Sequence, residues 1–183
     1  MNFTAVLEYL LENFNKYDIQ FALMGGFAMH AAGYTRATQD IDFLVLKEDM
    51  PKVKEIMGAF GYELIHESED ASNFVGKMKE LGQVDYLHAH RSYARNMLKR
   101  ARECGILNNK FTVRVLTPED IIGLKVQSSS NDPKRYHQDL ADIEYLIKAQ
   151  GEDLNLELVK EYFTLFQREK ELEGILRKVH HVE

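Results

Sequence analysis

Two aspartates stand one residue apart in the run Asp40-Ile41-Asp42-Phe43-Leu44-Val45-Leu46. The run reads as a strand, and side chains along a strand alternate faces. Asp40 and Asp42 therefore point the same way, about 7 Å apart at Cα. Two carboxylates at that spacing repel unless a cation sits between them, and hard oxygen donors suit a divalent ion such as Mg2+. On its own an Asp-x-Asp is equally what a solvated strand start shows, so the neighbourhood decides. Upstream, the apolar run Ile19 to Met24 ends in Gly25-Gly26 and passes into Phe27 to Ala32, a short helix that stops near Gly33. A glycine pair between strand and helix lets the backbone approach a ligand closely, and free N–H groups at the helix start favour phosphate. Alone, the pair is no more than a turn. Together, a phosphate cradle and a metal-binding acid pair are what phosphoryl or nucleotidyl transfer needs.

These residues need elements to hold them. Val6, Leu7, Leu10, Leu11 and Phe14 recur at helical spacing, so residues 4 to 16 read as an amphipathic helix. Pro51 opens a second helix, which Gly61 ends. Strands are expected at 62–66, 73–78, 83–88 and 111–116, with a helix from Arg91 to Glu103. The apolar residues around the acids predict that their strand is central and that the acids sit near a strand end that opens into a cleft. From Thr117 the chain turns helical: Thr117-Pro118-Glu119-Asp120 places a cap, a proline and two acids at a helix start. Asp132-Pro133 is a second start, with Tyr136, Leu140, Ile143 and Ile147 as its apolar stripe. The chain divides into a mixed core at 1–116 and a helical region at 117–183, and the irregular strand spacing argues against a regular doubly wound sheet.

The glycine pair followed by Gly33-Tyr34-Thr35-Arg36-Ala37-Thr38-Gln39-Asp40-Ile41-Asp42-Phe43 resembles the defining motif of the DNA polymerase beta-like nucleotidyltransferases. Arg36 and Thr38 before the acids are similar to the small bacterial and archaeal forms, including the abortive-infection toxin branch whose members pair with an antitoxin. Leu116 to Lys125 and Asp139-Leu140-Ala141-Asp142-Ile143 resemble the same branch more loosely. The resemblance implies an α/β (α+β) nucleotidyltransferase fold, a mixed central sheet flanked by helices with a C-terminal helical extension packed on the core. It also implies a third carboxylate on a later strand, best matched by Asp85 in Gln83-Val84-Asp85-Tyr86-Leu87. Asp40 and Asp42 would then hold Mg2+ (or Mn2+) on the triphosphate, and Asp85 would share one metal and help deprotonate an acceptor hydroxyl. Gly25, Gly26, Arg36, Thr38 and Lys125 would face the nucleotide. Arg36 is otherwise a loop arginine and Thr38 a residue that only orients the loop. Lys125 lies in an apolar segment and needs a partner or a wet cleft; Asp139 or Asp142 could supply the partner, and Arg135 stands four residues before Asp139.

Three readings of function compete. Arg91, Arg95, Lys99 and Arg102 fall on one face of the expected helix, and such a stripe would hold an RNA acceptor; it is also what a solvated helix face shows. That stripe favours a toxin-type transferase acting on RNA or protein, with a cognate antitoxin as partner. The formal charge of −6 permits a small-molecule transferase of the aminoglycoside type, whose substrates are cationic, and argues against a protein that coats nucleic acid. A relative that only binds a nucleotide or a partner is the third reading, against which the intact acids stand. His88 and His90 lack a third ligand for zinc. Cys104 is the single cysteine, so no internal disulfide forms, and it reads as structural. With no basic leader and no apolar stretch of membrane-spanning length, the expectation is a cytoplasmic protein with no membrane partner.

Overall fold

The computed structural model describes residues 1–34 and 37–180. They fall into two compact units, 1–31 with 37–116, and 32–34 with 117–180. The first is a mixed seven-stranded sheet flanked by helices. Its elements are α1 (Phe3–Lys16), β1 (Phe21–Leu23), α2 (Gly25–Ala31), β2 (Asp40–Leu46), α3 (Met50–Ala59), β3 (Tyr62–Glu67), β4 (Ala71–Gly76), β5 (Gln83–Ala89), α4 (Ser92–Arg100), β6 (Arg102–Ile106) and β7 (Phe111–Val115). The strand order is β3-β4-β5-β2-β1-β7-β6, which puts β2 in the middle. β2 runs parallel to β5 and antiparallel to β1. The mixed directions and the two edge hairpins, β3–β4 and β6–β7, produce the irregular strand spacing.

The two faces of β2 follow from its alternation. Ile41, Phe43 and Val45 are fully buried. Phe43 stacks on Tyr86 of β5, with ring centroids 5.6 Å apart, and Phe14 of α1 meets Phe21, Phe43 and Tyr86 edge-on. These rings fix α1 on that face. The opposite face carries Asp40 and Asp42. Arg114, whose side chain also points to that side because its neighbour Val115 pairs with Leu23, donates to the carbonyls of Leu98 and Ala101 at the end of α4. Hence α4 lies on the aspartate face.

Two expectations need correction. The helix expected from Arg91 to Glu103 ends at Arg100. Ala101 turns to φ −51°, ψ 137°, and residues from Arg102 pair antiparallel with β7. Helical propensity loses here to a non-local ladder. The four-residue basic stripe is broken as a result: Arg91 is the cap residue, Arg95 and Lys99 are on α4, and Arg102 is on β6. Arg91 lies 3.5 Å from Asp70, and Arg95 is ion-paired with Glu48. The other is the apolar stripe expected at Tyr136, Leu140, Ile143 and Ile147, of which Tyr136 and Leu140 are only half-buried.

The second unit contains α5 (Pro118–Asn131), α6 (Tyr136–Gln150), α7 (Leu156–Leu165) and α8 (Glu169–His180). Thr117 caps α5 by accepting from the Asp120 amide, and Pro118 occupies its first turn. The buried side of α6 is Asp139, Asp142, Ile143, Leu146 and Ile147, with Leu140 and Tyr136 only half-buried. Two aspartates replace apolar residues on that stripe because Lys125 of α5 reaches them. Tyr145 of α6 donates to the Gly33 carbonyl and packs at a tilt against Tyr34, and Gln150 donates to the Ala32 carbonyl, which ties residues 32–34 to this unit. No helix among the described residues is long and apolar enough to cross a membrane.

Candidate active site

The parallel register of β2 and β5 sets Asp40 opposite Gln83 and Asp42 opposite Asp85. Cross-strand partners share a face and neighbouring strands lie about 4.8 Å apart. The four side chains thus form the corners of a small square on one face of the sheet, three of them carboxylates. One oxygen of each of Asp40, Asp42 and Asp85 lies within 4.8 Å of the others, and all three residues are half-buried. Three negative charges held that close repel strongly unless a cation sits among them. Their all-oxygen donor set suits a hard divalent ion, so the residues present fit Mg2+ or Mn2+.

The glycine pair is built into this square. The Met24 amide donates to the Asp42 carbonyl, so the β1–β2 ladder runs up to the turn and brings Gly25 against Asp42. Gly25 has φ +58°, and a Cβ placed on it would lie 1.9 Å from Asp42 Oδ2. A Cβ on Gly26 would lie 2.5 Å from both Cβ and Oγ1 of Thr38. Neither position has room for a side chain, so the pair serves the acids by leaving them space. Thr38 in turn points its hydroxyl at Asp40, 3.1 Å from Oδ1 and 3.2 Å from the carbonyl oxygen.

The structure therefore brings together Asp40, Asp42, Asp85, Gly25, Gly26 and Thr38. Arg36 lies outside the described residues. Lys125 lies in the second unit, 88 % withdrawn from solvent, with Nζ 3.1 Å from Asp139 and 2.5 Å from Asp142. Arg135 adds the expected i,i+4 contact to Asp139 at 3.3 Å. His88 is a satisfied core histidine. Its Nδ1 contacts the Glu69 carbonyl at 3.0 Å, which can only accept, so Nδ1 carries the proton and Nε2 accepts from Ser72 Oγ at 3.0 Å. Burial pushes the His88 pKa down. His90 contacts Asp70 at 2.6 Å, and that hydrogen bond holds the Asp70 carboxyl below its ordinary range. Cys104 is a free thiol on β6.

Sequence reasoning missed two residues. Gln83 places Nε2 3.0 Å from each carboxylate oxygen of Asp85. Asn73 of β4 is the register partner of Asp85 on its other side. The i,i+2 spacing of Gln83 and Asp85 was the only signal for the first. Nothing local pointed to the second, whose place is set by strand pairing.

Known proteins share this architecture. The chain is similar to the antibiotic-resistance factor ANT(2'')-Ia, with 16% identity and a TM-score of 0.64 over 100% of both chains. It is similar to the lincosamide antibiotic adenylyltransferase LnuA, with 18% identity and a TM-score of 0.57 over 78% of this chain and 94% of that one. It is also similar to an antigenic nucleotidyltransferase-like protein from Paracoccidioides brasiliensis, with 17% identity and a TM-score of 0.57 over 96% and 92%. At such identities the likeness is one of fold, and the fold is that of the nucleotidyltransferases. No curated protein matches the sequence. A family model described as "Uncharacterised nucleotidyltransferase" matches residues 1–182, and since it spans nearly the whole chain, the protein belongs to that family.

Proposed function

We propose that the protein transfers a nucleoside monophosphate from a nucleoside triphosphate to a hydroxyl group on a small cationic acceptor. The observation that carries this reading is the square on β2 and β5, in which three carboxylates converge within 4.8 Å beside a glycine turn with no room for side chains. Asp40, Asp42 and Asp85 would hold Mg2+ or Mn2+, which supplies charge neutralisation at the attacking and leaving oxygens. Asp85 accepts the proton of the acceptor hydroxyl as its oxygen bonds to the α-phosphorus. The bond from that phosphorus to the bridging oxygen breaks, and pyrophosphate leaves. Gly25 and Gly26 let the triphosphate approach the acids, Thr38 holds Asp40, and Arg36 and Lys125 remain candidates for phosphate contact.

Three considerations favour a small cationic acceptor. ANT(2'')-Ia, which this chain matches in fold over its full length, has been seen with adenylyl-2''-tobramycin, an adenylylated aminoglycoside. The formal charge of −6 suits a cationic acceptor and opposes a polyanionic one. The basic stripe that favoured RNA is divided between a helix and a strand, and two of its members face acids. The toxin-type alternative, transfer to RNA or protein under an antitoxin, draws otherwise on Arg36 and Thr38 before the acids and on the loose second motif. Lys125, Asp139 and Asp142 of that motif are held by each other.

The test is label transfer from each of four α-labelled ribonucleoside triphosphates, with Mn2+ or Mg2+, to aminoglycosides, lincosamides, total RNA and total protein. Asp40→Asn/Asp42→Asn is the control. Metal-dependent label on a small molecule, absent in the control, supports the reading. Label on RNA or protein replaces the acceptor class, and no transfer to any acceptor by folded protein overturns it.

A further inference from the structure

The fourth corner of the square is an amide, although a carboxylate there would have faced Asp40 as directly as Asp85 faces Asp42. We infer that Gln83 is a positioning residue: its amide locks the Asp85 carboxylate in one orientation and so prepares it to hold the divalent ion. The inference rests on the proposed metal site and concerns how that site is assembled.

Three observations carry it. Gln83 Nε2 is equidistant from the two oxygens of Asp85, at 3.0 Å each, so the nitrogen lies in the plane that divides the carboxylate symmetrically. A single contact would leave the group free to swing about its terminal torsion, which is soft in aspartate; a symmetric one does not. Gln83 is uncharged. A lysine or arginine at the same corner would neutralise Asp85 and compete with a cation, and a glutamate would add a fourth repelling charge. An amide restrains the carboxylate and leaves its charge and outward lone pairs available. Finally, the clamp lies within one strand, i to i+2 on the same face of β5, and β5 is held between β2 and β4. The donor therefore stands on a rigid element, as a group that orients a metal ligand must.

Asp40 receives the hydroxyl of Thr38 from the preceding loop. Asp85 is oriented by a neighbour on its own strand. This suits the acid that, in the proposed reaction, must both face the metal and meet the acceptor hydroxyl.

The test is Mn2+ titration of the full chain, read as free Mn2+ by electron paramagnetic resonance. The variants are Gln83→Met, Gln83→Leu, Asp85→Ala and Gln83→Met/Asp85→Ala. Gln83→Met keeps the length without the donor, and Gln83→Leu is a second route to the same loss. Thermal melting checks each fold, and nucleotide binding without metal checks the remainder of the site. Losing an outer partner of a metal ligand costs about 10- to 100-fold in metal affinity, and that loss is expected in both Gln83 variants with melting and metal-free binding retained. In the Asp85→Ala background, Gln83→Met should cost nothing more, because its effect passes through Asp85. Wild-type Mn2+ affinity in both Gln83 variants overturns the inference, as does an undiminished loss in the Asp85→Ala background. So does a wild-type protein that binds no Mn2+. Wild-type protein that binds Mn2+ through this pair but transfers no label sustains the role of Gln83 while removing the transferase reading.

Discussion

Gly25→Ala separates the two demands the structure places on one glycine. The first is conformational. At φ +58° an L-residue pays about 1–2 kcal/mol over its right-handed conformation, which in a chain of this size lowers the melting temperature by roughly 2–8 °C. The second is steric. A methyl carbon 1.9 Å from Asp42 Oδ2 and 2.6 Å from its Cγ is far inside carbon–oxygen contact, which begins at about 3.3 Å. The carboxylate must retreat by more than about 1 Å. Misplacement on that scale at a reacting centre costs about 100-fold in rate, and the same movement pulls one of three ligands out of the cluster. Gly61→Ala is the matched control: it also sits at positive φ, +91°, but its Cβ meets only Leu81 Cδ1, at 3.8 Å. Both variants should melt lower. Only Gly25→Ala should lose label transfer and Mn2+ affinity. Metal affinity that stays at the wild-type level in Gly25→Ala, or falls equally in Gly61→Ala, refutes the link between this turn and Asp42.

Three further expectations follow from other contacts. Gly26→Ala meets Thr38 at 2.5 Å and should displace the hydroxyl that holds Asp40, weakening Mn2+ binding by about 10- to 100-fold; unchanged affinity would mean that Thr38 does not orient the acid. Lys125→Met removes the ammonium shared by the buried Asp139 and Asp142, while Arg135 stays on Asp139, and should destabilise by up to about 3–5 kcal/mol. A denaturant midpoint within error of wild type would show that this cluster bears no load, and a raised KM for the triphosphate beyond that seen with Asp142→Asn would give Lys125 its nucleotide role. His88 is buried in the neutral form, so its folded pKa lies below its unfolded value of about 6.5. The unfolded state then binds more protons as pH falls, and the stability present above about pH 6.5 is lost on the way down through the folded pKa. Melting temperatures from pH 7.5 to 5 should fall for the wild type and flatten in His88→Gln; parallel curves would contradict that assignment.

How much of this was written locally in the chain depends on the residue. The strand Asp40–Leu46, the glycine turn and the capped start at Thr117 are short-range patterns: alternation, conformational freedom and side-chain capping act within a few residues. Lys125 and its two aspartates were also legible, because a lysine in an apolar helix needs a partner. Asp85 was reached only through family resemblance, since its place beside Asp42 depends on the parallel pairing of β2 with β5. Gln83 was passed over because an amide two residues before an acid says nothing until both are known to lie on the same face of a strand. β6 failed for the converse reason. Arg102 and Glu103 continue the helical pattern of α4 with no glycine or proline before them to stop it, and only the ladder with β7 makes them a strand.

The site and the core are locked by the same register. Phe43 and Tyr86 are cross-strand partners, one residue beyond Asp42 and Asp85, and their rings stack on the face opposite the acids. Tyr86 is almost wholly buried and its hydroxyl reaches Met57. A one-residue slip of β5 against β2 would flip every side chain of β5. It would carry Asp85 into the aromatic core and Tyr86 onto the acid face, a charge into an apolar interior on one side and a large ring into water on the other. Both cost several kcal/mol. The acids need no local device to find one another across the chain, because the packing of Phe14, Phe43 and Tyr86 permits one register, and that register assembles the three carboxylates.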